Sequence, residues 1–369
     1  MTTLMIAGGG TGGHIYPAIA IAREFIARDP KRRAVFVGTE RGLEKTIVPK
    51  AGFPLELISA AGLQGKGALD RLRGLVQLPV GFTQAFRLIG KHRPVAVLGV
   101  GGYSSGPVLA AAKLRGVPTI IHEQNAFPGL TNRLLAKFVE AVAVAFPEAA
   151  SRLNRSDAVV TGNPIRAEFF EASGTPASSP ARTGGDAGAP PTRRLLVFGG
   201  SQGSHILNET MTGALLFLAR LKDQLLIVHQ TGPRELERVQ EAYRTSAFAG
   251  ARVVAYLDPI VDEIVAADLV VCRAGAMTIG ELAAAGRAAI FVPFAAATNN
   301  HQEANARVVE KAGGGMVITE TDLSPERLGA AISEVISDPE RIQRMGAAAK
   351  SQATPEATKR IVDTIEKII

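Results

Sequence analysis

The 369-residue chain is predicted to fold as α/β, with two Rossmann-like doubly wound domains facing across a cleft. Three observations predict this. Short apolar runs alternate with amphipathic helical stretches, the pattern of parallel sheets covered on both faces. An apolar run, a Gly-rich loop and a helical stretch follow one another near the start, and again just past the middle. Between the halves, residues 171–190 contain 17 Ala, Ser, Gly, Thr or Pro out of 20 and offer no apolar face to bury. The expected division is a first domain over 1–166, a connector over 167–192 and a second domain over 193–354. A terminal helix at about 355–369 can pack back on the first domain. Domains of about 150 residues are typical, so the length suits two.

In order along the first half, Leu4–Ala7 reads as a strand, followed by glycines and a helix through Arg28. Ala34–Val37, Val95–Val100, Thr119–Ile121 and Val142–Ala145 read as further strands. The second half opens with Leu195–Phe198, then GGSQGS and a helix through Arg220. Its other strand candidates are Leu225–Val228, Val253–Ala255, Leu269–Cys272 and Ala289–Val292.

Charge divides unevenly over these halves. Residues 1–170 carry 21 basic and 11 acidic side chains, whereas 171–369 carry 20 and 23. From Arg71 through His122 there are seven Lys and Arg and no carboxylate. That asymmetry directs the first half toward an anionic partner, and it fits nucleic acid, phosphates or a membrane surface alike. A single cysteine, Cys272, excludes an intramolecular disulfide framework. The start has no signal-peptide pattern, and no apolar run approaches the ~18 residues of a membrane span. The expectation is a cytoplasmic protein that does not span a membrane.

Three loops carry the chemistry. GGGTGGH, Gly8 to His14, contains GxGxxG after a strand and before a helix, with Glu40 as a possible ribose acceptor after the next strand. The spacing to Glu40 is longer than the usual ~20 residues, and a plain tight turn would use the same glycines. Free N–H groups at such a helix start favour a phosphate or a developing oxyanion. His14 stands where imidazolium is disfavoured, which suits a ring that accepts a proton. GGSQG, Gly199 to Gly203, formally matches a nucleophile elbow, with Asp268 and His301 following in serine-hydrolase order. Ser201 would equally donate to a phosphate. CRAGAMTIGELAAAG, Cys272 to Gly286, enters a helix through small residues and carries Glu281, a carboxylate able to accept from both ribose hydroxyls. The chain has no D-x-D, no HExxH and no paired Cys/His cluster, so no dedicated metal site is supported.

These motifs resemble the MurG family, the inverting glycosyltransferases of bacterial peptidoglycan synthesis. The resemblance rests on GGTGGH, GVGGYSSGP (99–107), HEQNAFPGLTN (122–132), TGNPIR (161–166), FGGSQGSHILN (198–208), the Cys272–Gly286 segment and NHQEANA (300–306). It implies a GT-B fold, with the acceptor held mainly by the first domain and the sugar nucleotide mainly by the second. It also implies GlcNAc transfer from UDP-GlcNAc to the C4 hydroxyl of MurNAc in undecaprenyl-diphospho-MurNAc-pentapeptide. On that similarity Glu281 holds the ribose, backbone near Leu257 the uracil, and Ser201 the diphosphate. Ala276, Met277 and Thr278 line the nucleotide, and Asn125 and Gln302 read the transferred sugar. Thr11, Gly12 and Gly13 lie at the reacting centre, Arg166 at its edge, and His14 is the base or orienting group. Tyr103 and His122 are acceptor-side candidates. No cofactor is implied, and a divalent ion beside the diphosphate stays open.

The resemblance places the protein peripherally on the cytoplasmic face of the inner membrane, with other cell-wall synthesis proteins as possible partners. Leu72, Leu75, Val76, Leu78, Phe82, Phe86 and Ile89, edged by Arg71, Arg73, Arg87, Lys91 and Arg93, suit an anionic leaflet, although Pro79 and Gly81 interrupt the helical pattern and part of this face must pack on the sheet, where core packing accounts for any single residue equally well. Two other readings compete. A nicotinamide oxidoreductase would use GxGxxG and Glu40. A nucleic-acid binder would use the basic half, but with 5% aromatic residues the chain lacks stacking platforms, and no nucleic acid is expected as partner.

Overall fold

The computed structural model describes residues 2–40, 42–60, 68–171 and 192–369. These form two units. The first comprises Met1–Ile165 together with Thr354–Ile369, and the second Arg166–Ala353. Of the expected connector, 172–191 lie outside the described residues, but Glu168–Glu171 form a short helix with Phe169 fully buried, so the connector begins later than expected. Arg166, expected at the end of the first domain, heads the second unit, and Thr354 joins the first.

The first unit runs β1 (Thr2–Ala7), α1 (Gly12–Ala27), β2 (Arg32–Gly38), α2 (Glu44–Lys50), β3 (Leu55–Leu57), α3 (Ala68–His92) and β4 (Ala96–Gly99). It continues with α4 (Ser105–Leu114), β5 (Thr119–Glu123), α5 (Leu130–Leu135), β6 (Ala141–Val144), α6 (Pro147–Leu153) and β7 (Val159–Val160). All strands are parallel, in the order β3-β2-β1-β4-β5-β6-β7. Alternation along β1 gives each face its core: Leu4 and Ile6 join Ile15, Ile19 and Phe25 of α1, while Met5 and Ala7 join Val108 and Leu109 of α4.

The second unit repeats the plan. After α7 (Glu168–Glu171) come β8 (Arg193–Phe198), α8 (His205–Leu218), β9 (Leu225–Gln230), α9 (Leu236–Arg244), β10 (Arg252–Val254), α10 (Ile260–Ala266) and β11 (Leu269–Cys272). Then follow α11 (Ala276–Ala285), β12 (Ala288–Phe291), α12 (His301–Lys311), β13 (Gly315–Val317), α13 (Pro325–Ile336) and α14 (Pro339–Ser351). Its parallel order, β10-β9-β8-β11-β12-β13, is that of a dinucleotide-binding sheet. Each order reverses beside the strand preceding a Gly-rich loop, β1 next to β4 and β8 next to β11. Ligands of open parallel sheets bind outside the carboxyl ends of strands at that switch point. The sheets therefore put Gly8–Gly10 beside Gly99–Gly102, and Gly199–Gly203 beside Arg273–Gly275.

The last helix, α15 (Ala357–Glu366), belongs to the first unit, where Ile361, Val362 and Ile365 are fully buried with the α1 core. Asp363 and Glu366 pair with Arg28 at 2.7 Å each, and Glu366 also reaches Arg32.

Two expectations for the basic stretch need correction. Pro79 and Gly81 do not interrupt the helix, which runs unbroken through both. Pro79 leaves a turn without one N–H donor, but its own carbonyl accepts from Thr83 Oγ1 at 2.8 Å. Phe82, Phe86 and Ile89 face inward, onto the core beneath α4. The outward face over this part of α3 is instead Val80, Thr83, Arg87 and Lys91, all exposed. The side chains of Leu72, Leu75, Val76 and Leu78, with Arg71 and Arg73, lie outside the described residues.

Candidate functional site

In the first unit the glycines are required by a side chain that spacing alone does not reveal. Glu44, at the first turn of α2, is 1% exposed, and its carboxylate lies under the Gly-rich loop. A Cβ on Gly9 would stand 2.3 Å from its Cδ, and one on Gly38 would stand 2.4 Å from its Cγ. Gly10 N donates to Glu44 Oε2 at 2.8 Å, and Thr39 N donates to Oε1 at 2.9 Å. The loop after β4 closes the other side, since a Cβ on Gly102 would meet Gly9 O at 2.6 Å. Glu44→Ala leaves the N–H groups of Gly10 and of the buried Thr39 without their acceptor, and a buried donor so orphaned costs about 1–3 kcal/mol. The expected outcome is a lowered first thermal transition by calorimetry, with turnover falling alongside it.

Thr11 caps α1 in extended conformation, and Thr11, Gly12 and Gly13 open toward solvent. Thr11 Oγ1 lies 3.2 Å from His14 Nδ1. His14 Nε2 lies over the backbone of Gly101, whose Cβ, if present, would be 3.0 Å away. Gly101 (φ +93°) thus serves both as a turn and as space for the imidazole. Tyr103, in the same loop, is 51% exposed.

His122 is fully buried, with Nε2 3.1 Å from the carbonyl of Gly162, and burial pushes its pKa down to about 4. It is therefore a neutral framework group, and any influence on an acceptor passes through its neighbours. The next residue, Glu123, organises the loop that follows. Its carboxylate accepts from Asn125 N (2.9 Å) and Nδ2 (3.1 Å), Gly129 N (3.0 Å) and Asn132 Nδ2 (2.9 Å). Asn125 is thereby held in one orientation.

In the second unit Ser201 and Gln202 are exposed at the tip of the loop leading into α8. Ser204, the N-cap residue, accepts from Arg273 Nη2 at 2.7 Å. The same guanidinium donates to Val292 O and Pro293 O and pairs with Glu320, so Ser204 is held by a donor fixed from several sides. Ala276 begins α11 after Gly275, with Met277 and Thr278 half-buried beside it. Glu281 has an 18% exposed side chain, and burial pushes its carboxyl up to about 7 against the opposing pull of Arg166. Arg166 Nη2 is 3.5 Å from Glu281 Oε1, and its guanidinium lies over Phe169 at 4.9 Å. Gln302 Oε1 accepts from Ala274 N (3.2 Å) and Phe294 N (3.0 Å), so the NH2 is the end that can donate to a ligand. Leu257 is buried, and its N–H is bonded to Gln230 Oε1 at 2.9 Å.

Two alternative constellations do not form. Glu40 is exposed and paired with Lys45 at 2.7 Å, on the surface rather than over the Gly-rich loop. Asp268 precedes β11 and accepts from Arg194 N at 2.7 Å. That is the amino end of the sheet, whereas Ser201 follows the carboxyl end of β8. No hydrolase triad can span that length of strand. Among the described residues, no group of three or more His, Cys, Asp or Glu is placed to hold a metal ion.

Residues 4–144 match the glycosyltransferase family 28 N-terminal domain, and residues 194–361 match the family 28 C-terminal domain. A protein of Pelobacter propionicus, named UDP-N-acetylglucosamine–N-acetylmuramyl-(pentapeptide) pyrophosphoryl-undecaprenol N-acetylglucosamine transferase, is 47% identical over 98% of each chain. One of the same name from Geobacter sulfurreducens is 45% identical over 98% of this chain and 97% of its own. Among solved structures, Acinetobacter baumannii MurG aligns over the whole of both chains with a TM-score of 0.80 and 30% identity. A UDP-GlcNAc 2-epimerase from Neisseria meningitidis, 12% identical with a TM-score of 0.68 over the full length of both, shares the fold.

Proposed function

From the premise that this chain belongs to the MurG family, within glycosyltransferase family 28, we propose how its residues carry out the family's reaction. The protein is a UDP-GlcNAc-dependent glycosyltransferase of GT-B fold that transfers GlcNAc to N-acetylmuramyl-(pentapeptide) pyrophosphoryl-undecaprenol, making the lipid-linked disaccharide of peptidoglycan. One observation supports this best: each sheet carries a Gly-rich loop at its switch point, and the two loops are clasped by groups of opposite polarity. In the first unit a carboxylate takes up the N–H of Gly10, which disfavours a second anion there. In the second, the clasping group is an amide that donates to Gly200 O, and Arg273, paired with Glu320, donates to Ser204 at the helix start, so neither takes up the loop's own N–H groups. A nucleotide diphosphate therefore belongs to the second unit.

Inverting transfer has the C4 hydroxyl of MurNAc attack C1 of GlcNAc while UDP departs from the opposite face. His14 takes the hydroxyl proton at Nε2, with Nδ1 turned to Thr11. Ser201 and the first amides of α8 meet the diphosphate, where charge grows as the bond breaks. Glu281 accepts the ribose hydroxyls, and Asn125 and Gln302 hold the transferred sugar. The direct test is transfer of radiolabelled GlcNAc to a lipid-linked MurNAc acceptor, with and without chelator. Absence of transfer in both would overturn the assignment.

The same reading places the enzyme peripherally on the anionic cytoplasmic leaflet, where its lipid acceptor resides. The exposed Val80 and Arg87 of α3 support this docking face, whereas Lys91 is paired with Glu56 at 2.7 Å. Val80→Glu with Arg87→Glu is expected to release the protein from anionic vesicles in a flotation assay without loss of fold. Retained binding would remove α3 from the contact.

A further inference from the structure

Gln230 ends β9 directly beside the end of β8, with Phe198 as its register partner. Its side chain is 2% exposed and uses both ends of the amide: Nε2 donates to Gly200 O at 2.9 Å, and Oε1 accepts from Leu257 N at 2.9 Å. We propose that Gln230 is a positioning residue that sets nucleotide specificity, by fixing the distance between the diphosphate loop and the backbone that meets the base. This rests on the reading of the second unit as the UDP-GlcNAc site.

The surroundings leave that distance little freedom. The loop after β9 touches the diphosphate loop backbone to backbone. A Cβ on Gly203 would fall 1.9 Å from Thr231 O, and one on Gly232 would fall 2.2 Å from Gln202 O. Thr231 N and Gly232 N donate to Val254 O (3.0 Å) and Ala255 O (3.1 Å), which ties the same loop to the chain leading into Leu257. Behind it, Asn208 Nδ2 donates to Thr231 O at 2.9 Å, and Asn208 Oδ1 lies 3.1 Å from His229 Nε2. His229 is buried, with its other nitrogen 3.1 Å from the Tyr243 hydroxyl. Three loops, those after β8, β9 and β10, thus meet at one side chain.

The chemistry singles out glutamine. Only a group that donates at one end and accepts at the other satisfies both a carbonyl and an N–H. Glutamate has no donor for Gly200 O, and asparagine is one methylene short. A site so fixed meets the ordering cost of binding before the ligand arrives, and it holds the two ends of one nucleotide at a set separation. Loss of the amide should therefore weaken a ligand that spans both loops more than its separate parts.

The test compares wild type with Gln230→Met, which keeps the volume and removes both hydrogen bonds. UDP is titrated by calorimetry, and uridine and inorganic pyrophosphate separately by NMR. The expected result is a loss of UDP affinity of about tenfold, since Leu257 N loses its acceptor and Gly200 O keeps only its bond from Gly203 N. The losses for uridine and pyrophosphate together should be smaller, and the preference for UDP over ADP should shrink. KM for UDP-GlcNAc should rise in step, with the KM for the lipid acceptor held. UDP affinity equal to wild type, or a loss no larger than the two fragments account for, overturns the role of Gln230. Should Gln230→Met not fold, Gln230→Leu, which is uncharged and also removes both bonds, serves the same comparison. A wild-type protein that binds no UDP overturns the donor assignment itself, a distinguishable failure.

Discussion

His14→Ala is expected to lower the rate of GlcNAc transfer by about 10²–10⁴-fold, the usual contribution of a positioned general base. UDP-GlcNAc affinity should stay near wild type, because the nucleotide contacts are assigned to the second unit and no donor contact is assigned to His14, which stands in the first. The structure gives this imidazole one defined pose. Thr11 Oγ1 addresses Nδ1 at 3.2 Å, and Nε2 lies over Gly101, where any side chain would crowd it. Gly101→Ala should accordingly reproduce part of the defect by displacing the ring. Steady-state kinetics with both substrates varied decides the matter. A loss confined to kcat, with donor KM unchanged, marks an interaction made only in the transition state. Near wild-type turnover would remove His14 from the reaction.

Glu281→Gln is expected to raise KM for UDP-GlcNAc by about 10–100-fold, since hydrogen bonds to a charged acceptor contribute about 1.5–3 kcal/mol. The pH dependence follows from the same carboxylate, whose pKa burial raises to about 7 in the free protein. Ribose hydroxyls donate to the ionised form, so binding favours loss of the proton. Affinity should therefore be full above about pH 7 and fall as pH drops below it, approaching tenfold per unit. UDP-GlcNAc is the right probe, because its diphosphate is esterified at both ends and does not titrate in this window. The Gln variant should bind weakly and show no such slope. A 2′-deoxyribose donor should lose affinity on wild type but little more on Glu281→Gln. A wild-type affinity that is flat from pH 5.5 to 8, measured as a test range on the scale set by carboxylate linkage, would contradict the ribose role.

The central strands were legible because each is a short apolar run with turn residues at both ends. Leu269–Cys272 is reproduced to the residue, and Leu4–Ala7 and Leu195–Phe198 are each extended by two at the front. Of the short edge strands, β10 was legible as Val253–Ala255, whereas β3, β7 and β13, two or three residues long, left no apolar run of their own. The glycine loops were equally visible, but what surrounds them was not. Glu44 reads in sequence as an ordinary acidic residue at a helix start. Its cavity exists only once α2 has folded against a loop 34 residues away. Glu123 and Gln230 are hidden for the same reason, each being a polar residue at a strand end whose partners come from other loops. Spacing reveals groups that act together on one element. It cannot reveal groups brought together by a sheet.

The position of α15 has a consequence for how the protein is made. Ile361, Val362 and Ile365 complete a core whose other residues lie between Leu4 and Ala143. The first unit therefore lacks one of its packing helices until residue 366 has left the ribosome, by which time every strand of the second unit has been synthesised. Domains made vectorially usually finish in sequence order. Here the order of completion is reversed, so the second unit can close on its own segment while the first still waits for its final helix.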